Sequence, residues 1–123
     1  MILKLRRKVI RAAITRVINR IKRGWTRNAV ARTAGGASCK SDNPKAVKWC
    51  AVGALRVSVV DDVTRAMIRR AADRIVAERD GGRLIDFNDR ATTKREHVIG
   101  VFEEIYELVG DNAYLKYLDN NSL

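Results

Sequence analysis

Chemistry in this chain would have to come from a few places. Cys50 lies in the stretch Trp49-Cys50-Ala51-Val52-Gly53-Ala54. A cysteine becomes a nucleophile when a base or a helix N-terminus lowers its pKa. Asp86 and Asp89 flank Phe87-Asn88, which puts two carboxylates and an amide in one short connector. Paired carboxylates can do acid–base work or hold Mg2+. His97 is the single histidine, and Gly35-Gly36 lacks the Lys and Ser/Thr of a phosphate-binding P-loop.

Each of these groups also has a structural reading, and its surroundings favour it. Cys50 is expected about two turns into a helix, beside Trp49 and alanines. That setting makes a buried, inert thiol packed on a neighbouring helix. Asn and Asp in a short connector more often bond nearby backbone N–H groups and fix a turn. His97 has no second histidine, and no Ser or Cys is tied to it. Cys39 and Cys50 are too few for a disulfide framework or a zinc site. We therefore assign no catalytic residue, no metal and no cofactor, and expect a protein that is not an enzyme.

Charge carries the stronger signal. Twelve Lys or Arg and no acid precede Asp42, whereas thirteen basic and fourteen acidic residues follow Ser41, so the net charge of +11 arises from the N-terminal third. Such asymmetry speaks to partners rather than fold: nucleic acid, an acidic protein surface or an anionic lipid face.

These residues must be positioned by helices. Leu3, Ile10, Ile14, Val17, Ile18 and Ile21 recur near a period of 3.6, with Ala13 on the same side. Lys4, Lys8, Arg11, Lys22 and Arg7 fall opposite, while Arg6 and Arg20 lie nearer the stripe, where their stems can cover core. Gly24 suits a C-terminal cap. Residues 25–33 read as an extended piece or loop anchored by Trp25, and residues 34–43 as a flexible loop. A second helix is expected from Pro44, capped by Asp42 or Asn43, with Val47, Cys50, Ala51, Ala54 and Leu55 inward. Gly53 and its alanines leave room for another backbone. Asp61 or Asp62 caps a third helix, with Val63, Met67, Ala71, Ile75 and Val76 inward, and Gly81-Gly82 stops it. Residues 84–89 read as a connector. Thr93 with Glu96 fits a capping box for a fourth helix carrying Val98, Val101, Phe102, Ile105 and Val109. A short last helix covers 112–118, and residues 120–123 fray. The expected fold is all-α: a compact bundle of four main helices with a short C-terminal helix. It forms a single domain over 1–123, with a core of about 3–118.

Three short motifs, Gly24-Trp25, Trp49-Cys50-Ala51-Val52-Gly53-Ala54 and Phe87-Asn88-Asp89, resemble those of a family of small uncharacterised proteins of bacteria and phages. The likeness spans roughly residues 5–109. Similar sequences usually have Gln-Gly in place of Arg27-Asn28 and Trp in place of Phe87. The resemblance implies one compact domain in a bacterial or phage setting and supplies no catalytic residue. It suggests that Trp25, Cys50 and the Asn88-Asp89 turn converge, with the polar pair satisfying the backbone of the Trp25 loop. Trp25, Trp49, Cys50, Gly53, Phe87, Asn88 and Asp89 are therefore read as a structural motif.

The function expected is that of a small basic binding protein, in the manner of a phage or mobile-element accessory protein. Its partner is anionic, nucleic acid first, and the contact residues are Lys4, Lys8, Arg11, Lys22, Arg23, Arg27 and Arg32. The alternative is a protein–protein module or homo-oligomer, for instance basic helix one against Glu103, Glu104 and Glu107 of another copy. An enzyme using Cys50 or Asp86/Asp89 comes third. No apolar run approaches transmembrane length. Arg11, Arg16 and Arg20 interrupt any secretory-signal core, so a cytoplasmic location is expected.

Overall fold

The computed structural model describes residues 2–120. Helix α1 (Ile2–Arg23) leads into three short strands, β1 (Ala31–Thr33), β2 (Ser38–Cys39) and β3 (Ala46–Trp49). Helices α2 (Ala51–Ser58), α3 (Asp62–Arg79), α4 (Leu84–Asp89), α5 (Arg95–Leu108) and α6 (Asn112–Asn120) follow. The strands form one antiparallel sheet in the order β2-β1-β3. The fold is thus mostly helical with a small sheet, not the expected all-α bundle, and has six helices among the described residues.

The correction lies between Trp25 and Cys50. Val47 shares a helical spacing with Cys50, Ala51 and Ala54, which predicts a helix from Pro44. Instead, residues 46–49 are extended, with Val47 exposed and Trp49 buried. Arg32 pairs with Lys48 and Ala31 with Trp49. The backbone N–H of Trp49 donates to the Gly24 carbonyl at 3.0 Å, and that of Thr26 to the Trp49 carbonyl at 3.2 Å. Partners this distant in sequence outweigh a weak helical pattern. Asn43 caps a tight turn rather than a helix, its Oδ1 accepting from the Lys45 N–H at 2.8 Å. Residues 34–43, expected to be flexible, hold the β1–β2 hairpin turn and strand β2. The connector at 84–89 is a helix.

The helical framework otherwise follows the apolar pattern. Ile10, Ala13, Ile14, Val17 and Ile21 of α1 are fully buried. They join Met67, Ile68, Ala71 and Ala72 of α3 and Val98, Val101, Phe102 and Ile105 of α5 in one core, with Leu3 and Ile18 packed at its edge. Asp61 caps α3, accepting from the Thr64 N–H at 2.9 Å and its hydroxyl at 2.5 Å, which holds its carboxyl below the usual range. The Thr93–Glu96 box is replaced by a one-sided cap a residue later: His97 Nδ1 accepts from the Lys94 N–H at 3.0 Å, and Thr93 is buried. The expected fraying covers Asn120, the last residue of α6, and extends to residues 121–123, which lie outside the described residues.

Two glycines join helices to the sheet. A Cβ on Gly24 would sit 2.1 Å from the Val47 carbonyl oxygen, and one on Gly53 would sit 2.1 Å from that of Val30. Gly53 gives the room that its sequence context predicts. Gly24 serves the approach of β3 rather than a left-handed cap, for its φ is not positive.

Candidate functional site

The seven predicted contact residues divide by chemistry. Lys4, Lys8, Lys22 and Arg23 are exposed, and no hydrogen bond or ion pair among the described residues holds their side chains. Arg11, Arg27 and Arg32 turn inward. Arg11 lies over the Tyr106 ring, 4.7 Å from its centroid, and its Nε donates to the Tyr106 carbonyl at 3.0 Å. Arg27 covers the Trp25 ring at 4.7 Å and its Nη2 donates to the Thr93 carbonyl. Its Nε is the one buried side-chain polar atom among the described residues that lacks a partner. Arg32 donates to the Thr26 hydroxyl at 2.9 Å and to the carbonyls of Gly36 and Arg27 at 3.0 and 3.2 Å.

Other arginines follow a rule that the charge count hides. The last carbonyls of a helix lack intrahelical partners and carry the negative end of its dipole. α5 has no basic residue in its last turn. Arg7 supplies a cation from α1, donating to the Val109 carbonyl at 2.8 Å, with Arg11 on Tyr106 beside it. At the end of α2, Arg16 donates to the Ser58 carbonyl at 3.0 Å and Arg65 to that of Val59 at 2.7 Å. Arg90 reaches the Asp80 and Gly81 carbonyls after α3, at 3.2 and 2.7 Å. Arg95 reaches the Lys22 carbonyl in α1, at 3.3 Å. A planar fork of five donors suits this task better than an ammonium. Arg20 lies over the Trp49 ring at 4.7 Å; burial, then the charge of Arg23, lowers its pKa. Arg6 pairs with Asp119 at 3.3 Å.

Folding adds cations that sequence order separates. The Lys48 Cγ lies 3.1 Å from where a Gly24 Cβ would be, so its stem runs beside the end of α1. Arg95 touches the same end through Lys22, with Lys94 next to it. Lys22, Arg23, Lys48, Lys94 and Arg95 are all exposed and none has an ion-pair partner among the described residues. Lys22 also shares a hollow of about 310 Å³ with Glu103 and Glu107 of α5, which gives the cluster an acidic border. The three cations contributed by β3 and α5 escape a reading that follows the chain. Only the sheet and the α1–α5 packing bring them in.

The predicted convergence of Trp25, Cys50 and the Asn88-Asp89 turn is present. Asn88 is fully buried. Its Oδ1 accepts from the Trp25 indole at 2.8 Å and the Ala51 N–H at 2.9 Å. Its Nδ2 donates to the Thr26 carbonyl at 3.1 Å and to Asp89 Oδ1 at 3.0 Å. Asp89 Oδ1 also accepts from the Asn28 N–H at 2.9 Å. Asn28 is the one described non-glycine residue with positive φ, 62°. Asparagine tolerates that region better than most residues with a side chain.

These groups meet as packing partners. Cys50 is not two turns into a helix; it is the N-cap of α2, and its Sγ accepts from the Gly53 N–H at 3.3 Å. Burial raises the thiol pKa, against the pull of that N–H. Asp86 caps α4, accepting from the Arg83 N–H at 2.9 Å, so its carboxyl and that of Asp89 serve separate ends of one helix. Cys39 and Cys50 are both free thiols. The described residues contain no group of three potential metal ligands and no helix long and apolar enough to cross a membrane.

No curated protein and no solved structure matches the chain. The sequence pattern of one family does, over residues 5–107, a span that runs from α1 through α5 and holds every member of the Asn88 cluster. The chain belongs to the family of unknown function DUF6197.

Proposed function

We propose that the protein binds an anionic partner, nucleic acid first, through the outer face and C-terminal end of α1. The observation that carries this reading is the cluster of Lys22, Arg23, Lys48 and Lys94 around one helix end, exposed and with side chains that meet no partner among the described residues, beside Arg95, which is exposed and bonded only to the Lys22 carbonyl. Lys4 and Lys8 extend the positive surface along the helix. Exposed cations whose side chains meet no protein partner are available to phosphates, whose neutralisation releases counterions. Arg11, Arg27 and Arg32 leave the contact set.

A salt series with duplex DNA, single-stranded DNA and RNA tests the reading. Binding should weaken steeply with salt, and charge reversal at Lys22, Arg23 and Lys48 together should remove most of it. No binding to any of the three at low salt rejects it. A second reading, an acidic protein surface, draws on Ile2, Leu5 and Val9, which are 77%, 64% and 44% exposed beside Lys4 and Lys8. Salt-sensitive binding to an acidic protein, with no binding to any of the three nucleic acids, would favour that reading.

A further inference from the structure

A hollow of about 440 Å³ lies between α3, α4 and the start of α5, a size that holds small organic ligands. Its apolar lining comes from Ile75, Val76, Val101 and the Phe87 ring; Asp80, Arg90, Thr92 and His97 supply the polar part. Gly100 is part of the wall, and its setting is unlike that of Gly24 or Gly53. A Cβ there would have nothing within 4 Å. Glycine inside a helix costs stability relative to alanine. No neighbour in the folded chain requires it at this position, and a side chain there would occupy the hollow.

The lining fits a flat heterocycle better than a phosphate. Of the two arginines on its wall, Arg79 is paired with Glu104, and Arg90 is bound to the Asp80 and Gly81 carbonyls and lies 4.0 Å from the Asp80 carboxylate, so both positive charges already face acceptors of the protein. His97 Nδ1 accepts from the Lys94 N–H, which leaves Nε2 to donate. With the Asp80 carboxylate and the Thr92 hydroxyl, the site offers donors and acceptors beside an aromatic ring, as a base edge and face require. Thr92, Thr93 and His97 flank Lys94 and Arg95 in the chain, so this hollow adjoins the cation cluster.

We propose that the hollow takes one unstacked base of a single-stranded nucleic acid whose phosphates are met by Lys94, Arg95, Lys22 and Arg23. This rests on the nucleic-acid reading above. Fluorescence anisotropy would compare a labelled single-stranded DNA with the same strand made abasic, at one low salt concentration. The intact strand should bind about tenfold more tightly, as base–aromatic contact predicts. Gly100→Leu, which fills the hollow from its wall, should reduce the intact strand to the abasic level and leave abasic binding unchanged. Thr92→Leu, which narrows the hollow from its exposed rim without adding an aromatic face, should do the same if Gly100→Leu fails to fold. Equal binding of both strands by the unaltered protein overturns the base site while leaving the cation surface standing. Undiminished preference for the intact strand in a folded Gly100→Leu protein also overturns it. Absence of binding to either strand removes the cation reading and this one together.

Discussion

Around Asn88, both donors and both acceptor positions of one amide meet protein groups, whereas along the outer face of α1 Lys4, Lys8 and Lys22 meet none. Both regions are polar, and apart from Lys4 both belong to the part of the chain matched by the family. The first uses its polarity to join three segments in the interior. The second leaves its polarity facing outward. The arginines of α1 stand between them, with charge near the surface and hydrogen bonds directed into the fold. The difference teaches that a high positive charge is not one signal. Several arginines here serve helix ends and aromatic faces, whereas the lysines of α1 are exposed and meet no partner among the described residues.

That contrast can be broken most sharply at Asn88. Asn88→Ala leaves the Trp25 indole, the Ala51 N–H and the Thr26 carbonyl without partners in the interior, and should cost about 4 kcal/mol in denaturant unfolding. A loss below about 1 kcal/mol would mean that water replaces the amide and the knot is not structural. Gly53→Ala comes next, at about 3 kcal/mol, because its Cβ would drive into the Val30 carbonyl. Arg11→Lys or Arg16→Lys should cost about 1 kcal/mol each, through loss of the fork at a helix end. Equal stability of these lysine variants would show that charge alone suffices there.

The thiol of Cys50 gives a smaller, pH-dependent effect. Burial raises its pKa, so the folded state holds its proton where the unfolded chain has begun to release it. Its contribution to stability is therefore full below the usual thiol range and declines as pH rises through it. Labelling at neutral pH should require unfolding, and rapid labelling of the native protein would contradict the burial. The smallest stability effect belongs to the outer face. Lys4→Gln, Lys8→Gln and Lys22→Gln should each stay within about 0.5 kcal/mol of the unaltered protein. If the surface meets phosphates, each should also lower the salt slope of binding by about 1.

The apolar stripes of α1, α3 and α5 are legible in the sequence because each is long enough for its period to repeat. The Asp61 cap and the room at Gly53 are legible for a local reason: their residue types act within a few positions. The sheet is not. Ala46 to Trp49 has too few residues to declare a period, and its partners are set by β1 and the start of the Trp25 loop. The convergence on Asn88 comes from the three motifs together, while the role of Asn88 as acceptor for both an indole and a helix N-terminus emerges only when the segments meet. The same limit applies to the cation surface. Lys22 and Arg23 can be placed on a helix end by counting, but Lys48, Lys94 and Arg95 join them only through folding.

The bond from Asn88 to the Ala51 N–H also orders events in time. α2 has eight residues, too few to persist alone, and its opening N–H is held by a side chain 37 positions later in the chain. A nascent chain that ends before α4 cannot complete that start, however well α1 and α3 have formed. Closing so long a loop comes late relative to local helix formation. The Ala51 amide should therefore gain protection from hydrogen exchange with α4, and afterwards open only when the whole domain does.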